Sequence, residues 1–158
     1  MSQGFLSRFT LGASGMRRLF NLWPPFRAAG IRVREIAPDF RSATVELRMR
    51  LLNRNYVGTH FGGSLFAMTD PFFMIMMMKN LGPQYLVWDK QGTVRFLKPA
   101  RGTVVARFQL PEASIAEARA ATASGEKHEP KFRVEIVDGD GVTVADVEKT
   151  LYIRKKKG

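Results

Sequence analysis

A chain of 158 residues, 45% of them hydrophobic, has the size of one domain and enough apolar side chains for a core, which argues against global disorder. The absence of cysteine excludes disulfides, thiolate metal sites and a cysteine nucleophile. A formal charge of +11, from 25 Lys and Arg against 14 Asp and Glu, directs attention to anionic partners: nucleic acid, an anionic membrane surface or a phosphorylated small molecule.

The N-terminal segment, residues 1–28, carries Phe5, Leu6, Phe9, Met16, Leu19, Phe20 and Leu22 among basic and small residues. Their spacing predicts one or two short amphipathic helices, stopped by Trp23-Pro24-Pro25. No continuous apolar stretch precedes a small-residue cleavage site, so a secretory signal is not expected and the default location is the cytoplasm. From Ile31 the pattern becomes period two. Ile31 and Val33, then Ala43, Val45, Leu47 and Met49, alternate with polar residues on either side of a Pro38-Asp39 turn. An antiparallel pair with one wet face is expected there.

Residues 53–80, NRNYVGTHFGGSLFAMTDPFFMIMMMKN, predict one long apolar helix with Thr59 or His60 closing its N-terminus. The apolar run is interrupted by Asp70-Pro71 and is shorter than the roughly 20 residues of a membrane span. Next come a strand in QYLVWDKQGTVRFLKP, with Gly92 marking a bulge or a close backbone approach, and a strand in GTVVARFQLP. An alanine-rich helix follows, ended by Gly125, and then a hairpin turning at Asp138-Gly139-Asp140-Gly141. Residues 155–158 form a basic tail, expected to be solvated. The sum is a single α+β domain, residues 1–158 with a core over 29–154. About six antiparallel strands curl around one dominant helix.

The chemistry-bearing residues cluster in the central stretch. Gly62 and Gly63 fall in the first helical turn, where amides lack intrahelical acceptors and could stabilise a developing oxyanion; equally, the glycines could serve close packing alone. Asp70 is a lone acid in an apolar run, either a functional carboxylate or the cap of a second helix starting at Pro71. Asn55 could orient a water or a carbonyl, or make an Asx turn. His60 could be a base or a phosphate contact, although satisfying local backbone is the simpler role. Met74, Met76, Met77 and Met78 are adaptable core filler, with an acyl tunnel as a second use. His60 and His128 lie far apart, no metal site is expected, and there is no glycine-rich phosphate loop.

The element order, together with NYVGTHFGGSLFAMTD, resembles the hotdog-fold thioesterases of the PaaI-like group. That group has an asparagine, five residues, a His-Gly-Gly, and an acid nine residues after the histidine. Asn55, Gly62, Gly63 and Asp70 match, whereas Phe61 stands at the histidine position with His60 one residue early, and Pro71 follows the acid. With VWDK and KPARGTV, the chain is similar to the DUF4442 branch, associated with tetrameric acyl-CoA thioesterases. The resemblance covers residues 29–154. It implies a curved sheet wrapped around a long central helix and hydrolysis of acyl-CoA or acyl-carrier thioesters. The Gly62 amide would polarise the carbonyl, Asp70 would act as base or nucleophile across a dimer interface, and Asn55 would hold the carbonyl or water. Gly63, His60 and Phe61 would line the substrate site, and Arg95, Lys98 and Arg101 would meet the phosphates of coenzyme A. Coenzyme A enters as part of the substrate, with no separate cofactor and no metal, and self-association as homodimer or homotetramer is implied. Two other classes stand beside this one: a non-catalytic hotdog protein that binds acyl groups, and a basic module for nucleic acid or anionic membrane. No recognition-helix or RNA-binding signature is present, so a nucleic-acid partner is not expected.

Overall fold

The computed structural model describes residues 11–156. Phe5, Leu6, Phe9 and the end of the basic tail lie outside these. Helix α1, Ala13–Leu22, turns Ala13, Met16 and Phe20 inward, the spacing of one helical face. Trp23-Pro24-Pro25 ends it, and also begins another helix: Pro24 is the first residue of α2, Pro24–Ala29, where a missing N–H is harmless. Gly30 closes α2 in the left-handed region, at φ 83°.

The strands are β1 (Ile31–Ile36), β2 (Ser42–Arg48), β3 (Tyr85–Phe96), β4 (Thr103–Gln109), β5 (Lys127–His128), β6 (Lys131–Val137) and β7 (Thr143–Lys155). They form one antiparallel sheet ordered β1-β2-β4-β6-β7-β3, with the short β5 also on β7. The alternation expected for β2 holds: Ala43, Val45 and Leu47 are buried. Asn21 of α1 pairs with the β1 backbone as a strand would, accepting from the Val33 amide and donating to the Val33 carbonyl. At the opposite edge, β3 pairs with β7 alone among the described residues. The first residues of the expected basic tail, Lys155 and Lys156, are exposed. Lys155 ends β7, and the Lys156 amide donates to the Gln84 carbonyl at 2.9 Å.

The central helix is broken rather than continuous. Helix α3 spans Gly62–Ala67 and α4 spans Phe72–Leu81. Pro71 lacks an amide hydrogen and biases Asp70 away from helical angles, so the ladder cannot cross this point. The Asp70-Pro71 peptide is cis. Neither Thr59 nor His60 caps α3; Phe61 holds that position without a side-chain bond. Helix α4 is apolar nearly all round because the sheet wraps it: Phe72, Phe73, Ile75, Met76, Met77 and Leu81 are buried. An aromatic chain ties the layers together. Phe20 and Phe26 meet Phe72, Phe72 and Phe73 meet Phe108 of β4, and Phe73 stacks on Phe132 of β6. Helix α5, Glu112–Ala121, covers the far end with Ile115 and Ala118. No helix of the described residues is long and apolar enough to cross a membrane.

Candidate functional site

The loop before α3 is braced by Asn55. Its Oδ1 accepts from the Thr59 amide at 2.9 Å, and its Nδ2 donates to Thr59 Oγ1 and the His60 carbonyl. The bond spans four residues rather than the two of an Asx turn, and the loop engages both ends of the amide. His60 is buried, and its Nε2 meets the Gly102 carbonyl at 2.8 Å. Burial pushes its imidazole pKa down, with the Gly102 bond opposing. His60 thus locks the loop to the turn after β3, as does its backbone amide on the Ala100 carbonyl.

This packing leaves a cleft of about 620 Å³ between the loop, the start of α3 and the turn after β3. Asn55, His60 and Gly62 line one side, and Phe96, Lys98 and Arg101 the other. Gly62 permits this approach: a Cβ there would come 2.9 Å from the Phe96 ring. As the first residue of α3, its amide has no acceptor within the helix. Arg101 donates to the Gly58 carbonyl at 2.8 Å, holding a cation at the rim. Besides Asp70, three expected site residues lie apart from the cleft lining. Gly63 packs against the Phe61 ring, and Phe61 itself is more than half exposed. Arg95 forks onto Asp146 at 3.0 and 2.5 Å, and Arg133 takes the other oxygen of that carboxylate.

Gly62 of α3 lies against Phe96 of β3, Phe66 lies against Gly92, and Asp70, three residues beyond the end of α3, lies beside Asp89. Asp70 does not cap α4, whose N-terminus lacks a side-chain cap. Its Oδ1 instead accepts from Lys149 Nζ at 2.6 Å. Lys149 comes from β7, is only 3% exposed at its side chain, and lies 3.8 Å from Asp89 Oδ1. Its ammonium stands 4.7 Å from the centre of the Phe66 ring. Gly92 makes the layer possible. It is not the bulge, which falls between Asp89 and Gln91; a Cβ on it would meet the Phe66 ring at 2.6 Å. Burial pushes the Asp89 carboxyl up to about 6, with Lys149 pulling it down and the Asp70 charge pushing it up.

Lys149 and Asp89 are absent from the expectations drawn from sequence. Both carry a signal there: Lys149 stands in phase with Ala145, Val147, Leu151 and Ile153, and Asp89 with Tyr85 and Val87, so each is a charge in an apolar row. Beyond the cluster, Met74 and Met78 line an apolar groove of about 750 Å³ with Phe20, Val87 and Trp88, whereas Met76 and Met77 are core. Among the described residues no group of side chains could hold a metal ion.

A curved antiparallel sheet around a central helix, with an acid where the helix breaks, defines a hotdog-fold domain. The family model described as a domain of unknown function, DUF4442, matches residues 12–153, and the chain belongs to that family. Among solved structures, the chain is similar to PA5026 of Pseudomonas aeruginosa, a protein of unknown function described as a probable thioesterase. That likeness has 20% identity and a TM-score of 0.79, and covers 89% of this chain and 93% of that one. The thioesterase HI1161 of Haemophilus influenzae is similar at 13% identity, 90% coverage of each chain and a TM-score of 0.66. The PaaI protein of the E. coli phenylacetic acid degradation operon follows at 18% identity, 92% and 93% coverage, and a TM-score of 0.62. No curated protein sequence matches the chain.

Proposed function

We propose that the protein hydrolyses acyl-CoA or acyl-carrier thioesters, in the cytoplasm, as a dimer or tetramer. The observation that carries this reading is Asp70: a carboxylate half exposed at the helix break and tied to a buried ammonium, in a fold shared with thioesterases. Asp70 does not line the cleft of its own chain that holds Gly62. A second chain would bring its Asp70 to that cleft. Self-association is supported by the edge of β3, unpaired among the described residues, and by Leu52, Tyr56, Val57 and Phe61, whose large apolar side chains stand more than half exposed.

In this scheme the thioester carbonyl lies by the Gly62 amide, which receives the developing oxyanion. Asp70 takes a proton from water as the water oxygen bonds to the carbonyl carbon. The C–S bond then breaks, the thiolate leaves and recovers that proton, and a carboxylic acid is released. Direct attack by Asp70 is the other route, through an anhydride that water opens. Lys98 and Arg101 at the cleft rim suit the phosphates of coenzyme A. The Met74 and Met78 groove suits an acyl chain. Asn55 holds the loop in shape. A specific observation favours a second reading, that of a non-catalytic acyl binder: Phe61 replaces the group's histidine, and Asn55 has its amide engaged within its own loop.

The test is thiol release from a panel of acyl-CoA esters ranging from short to long and including aryl-acyl groups. Turnover on at least one ester is expected. Binding of the esters without thiol release would establish the acyl binder instead.

A further inference from the structure

We propose that Lys149 is the positioning residue of the Asp70 site: it reaches from β7 beneath Phe66 and fixes the carboxylate that faces the thioester. This rests on the reading of Asp70 as the acting acid.

Lys149 occupies a core position. Its row on β7 is Ala145, Val147, Leu151 and Ile153, all fully buried. Placing an ammonium in such a row is costly even when paired, and an apolar side chain of similar volume serves stability as well or better. Packing alone therefore gives no reason for a lysine there. The surroundings nevertheless accommodate it from two elements: Phe66 of α3 lies over the ammonium, while on β3 Asp89 flanks it and Gly92 leaves room for its stem.

Exposure decides which group acts outward. The side chain of Lys149 is 3% exposed, that of Asp89 22% and that of Asp70 49%. The ammonium is sealed from any substrate, and the cluster presents Asp70 to solvent. The Lys149 hydrogen bond on Oδ1 sets the direction of a carboxylate that stands in a break between helices. Asp89 completes the device. When Asp70 takes up the proton from water, Lys149 keeps an anion beside it, so no buried cation is left without a counter-charge.

The test compares wild type, Lys149→Met, Asp70→Asn and the double variant in steady-state thioester hydrolysis. Lys149→Met is expected to lower kcat by about 10- to 100-fold through misplacement of the carboxylate, with KM within about 2-fold. In the Asp70→Asn background the same change should have no further effect, because Lys149 acts only through Asp70. Lys149→Arg should restore part of kcat. Should Lys149→Met not fold, Lys149→Met/Asp89→Asn, which buries no unpaired charge from this cluster, takes its place. Full activity of Lys149→Met, or a loss that multiplies with that of Asp70→Asn, overturns the proposal while leaving Asp70 as the acid. Full activity of Asp70→Asn overturns both.

Discussion

Replacing Asp89 by asparagine should stabilise the protein, and the gain should grow with pH. Burial lifts the Asp89 carboxyl from its ordinary 3.8 to about 6, against the pull of Lys149. The folded chain thus holds this proton more tightly than the unfolded chain. The stabilising contribution is complete below about pH 4 and is lost as pH rises through about 6. At about 1.4 kcal/mol per tenfold change in binding, full ionisation carries a penalty of about 3 kcal/mol, about half of it already present near pH 5. Asparagine has the same shape and never ionises, so it removes that penalty. The assay is urea denaturation of wild type and Asp89→Asn at about pH 4, 5, 6 and 7, reading the difference between the two proteins at each pH. His60, whose pKa burial pushes down, acts oppositely, lowering stability as pH falls below its ordinary 6.5; the difference between the variants cancels it. The expected difference is near zero at about pH 4 and about 2–3 kcal/mol in favour of the variant at about pH 7. A difference independent of pH, or a variant less stable at neutral pH, would refute the account of Asp89 as a strained carboxylate.

Phe108 is fully buried between Phe72 and Phe73, so Phe108→Ala should cost about 3–5 kcal/mol in the same assay. Gly30→Ala should destabilise by about 1–3 kcal/mol in thermal or urea unfolding, since φ is 83° and a Cβ would stand 2.7 Å from the Arg48 carbonyl oxygen. Lys98→Ala/Arg101→Ala should raise KM for coenzyme A esters by about 10-fold, and less at high salt, if these cations meet phosphate. Pantetheine esters, which lack the nucleotide phosphates, should show no change, and an equal rise for both ester types would contradict phosphate contact.

The strands were legible because half-buried strands repeat at two residues, and β1, β2 and the β6–β7 hairpin fall where the alternation places them. The central helix is in two pieces at Pro71, near where a second helix is one of the two readings of Asp70. A continuous apolar run reads as one helix, but the ring of that proline outweighs the surrounding helix propensity. Pro24 misleads in the other direction, since a proline that stops one helix can be the first residue of the next. The cleft was partly legible: Gly62, His60, Lys98 and Arg101 do converge, because the loop and the β3–β4 turn are pinned together by His60. The partner of Asp70 was not legible. Lys149 lies seventy-nine positions away, and only the β3–β7 register and the crossing of α3 bring it near. A charge in an apolar row marks such a residue but does not name its partner.

The proposed hydrolysis rests on Asp70. The most direct measurement is thiol release by wild type and by Asp70→Asn, in the oligomeric state each adopts in solution. General acid–base catalysis is worth about 100- to 10,000-fold, so kcat should fall by that order while KM stays within about 2-fold. An Asp70→Asn protein that turns over at the wild-type rate would contradict the account.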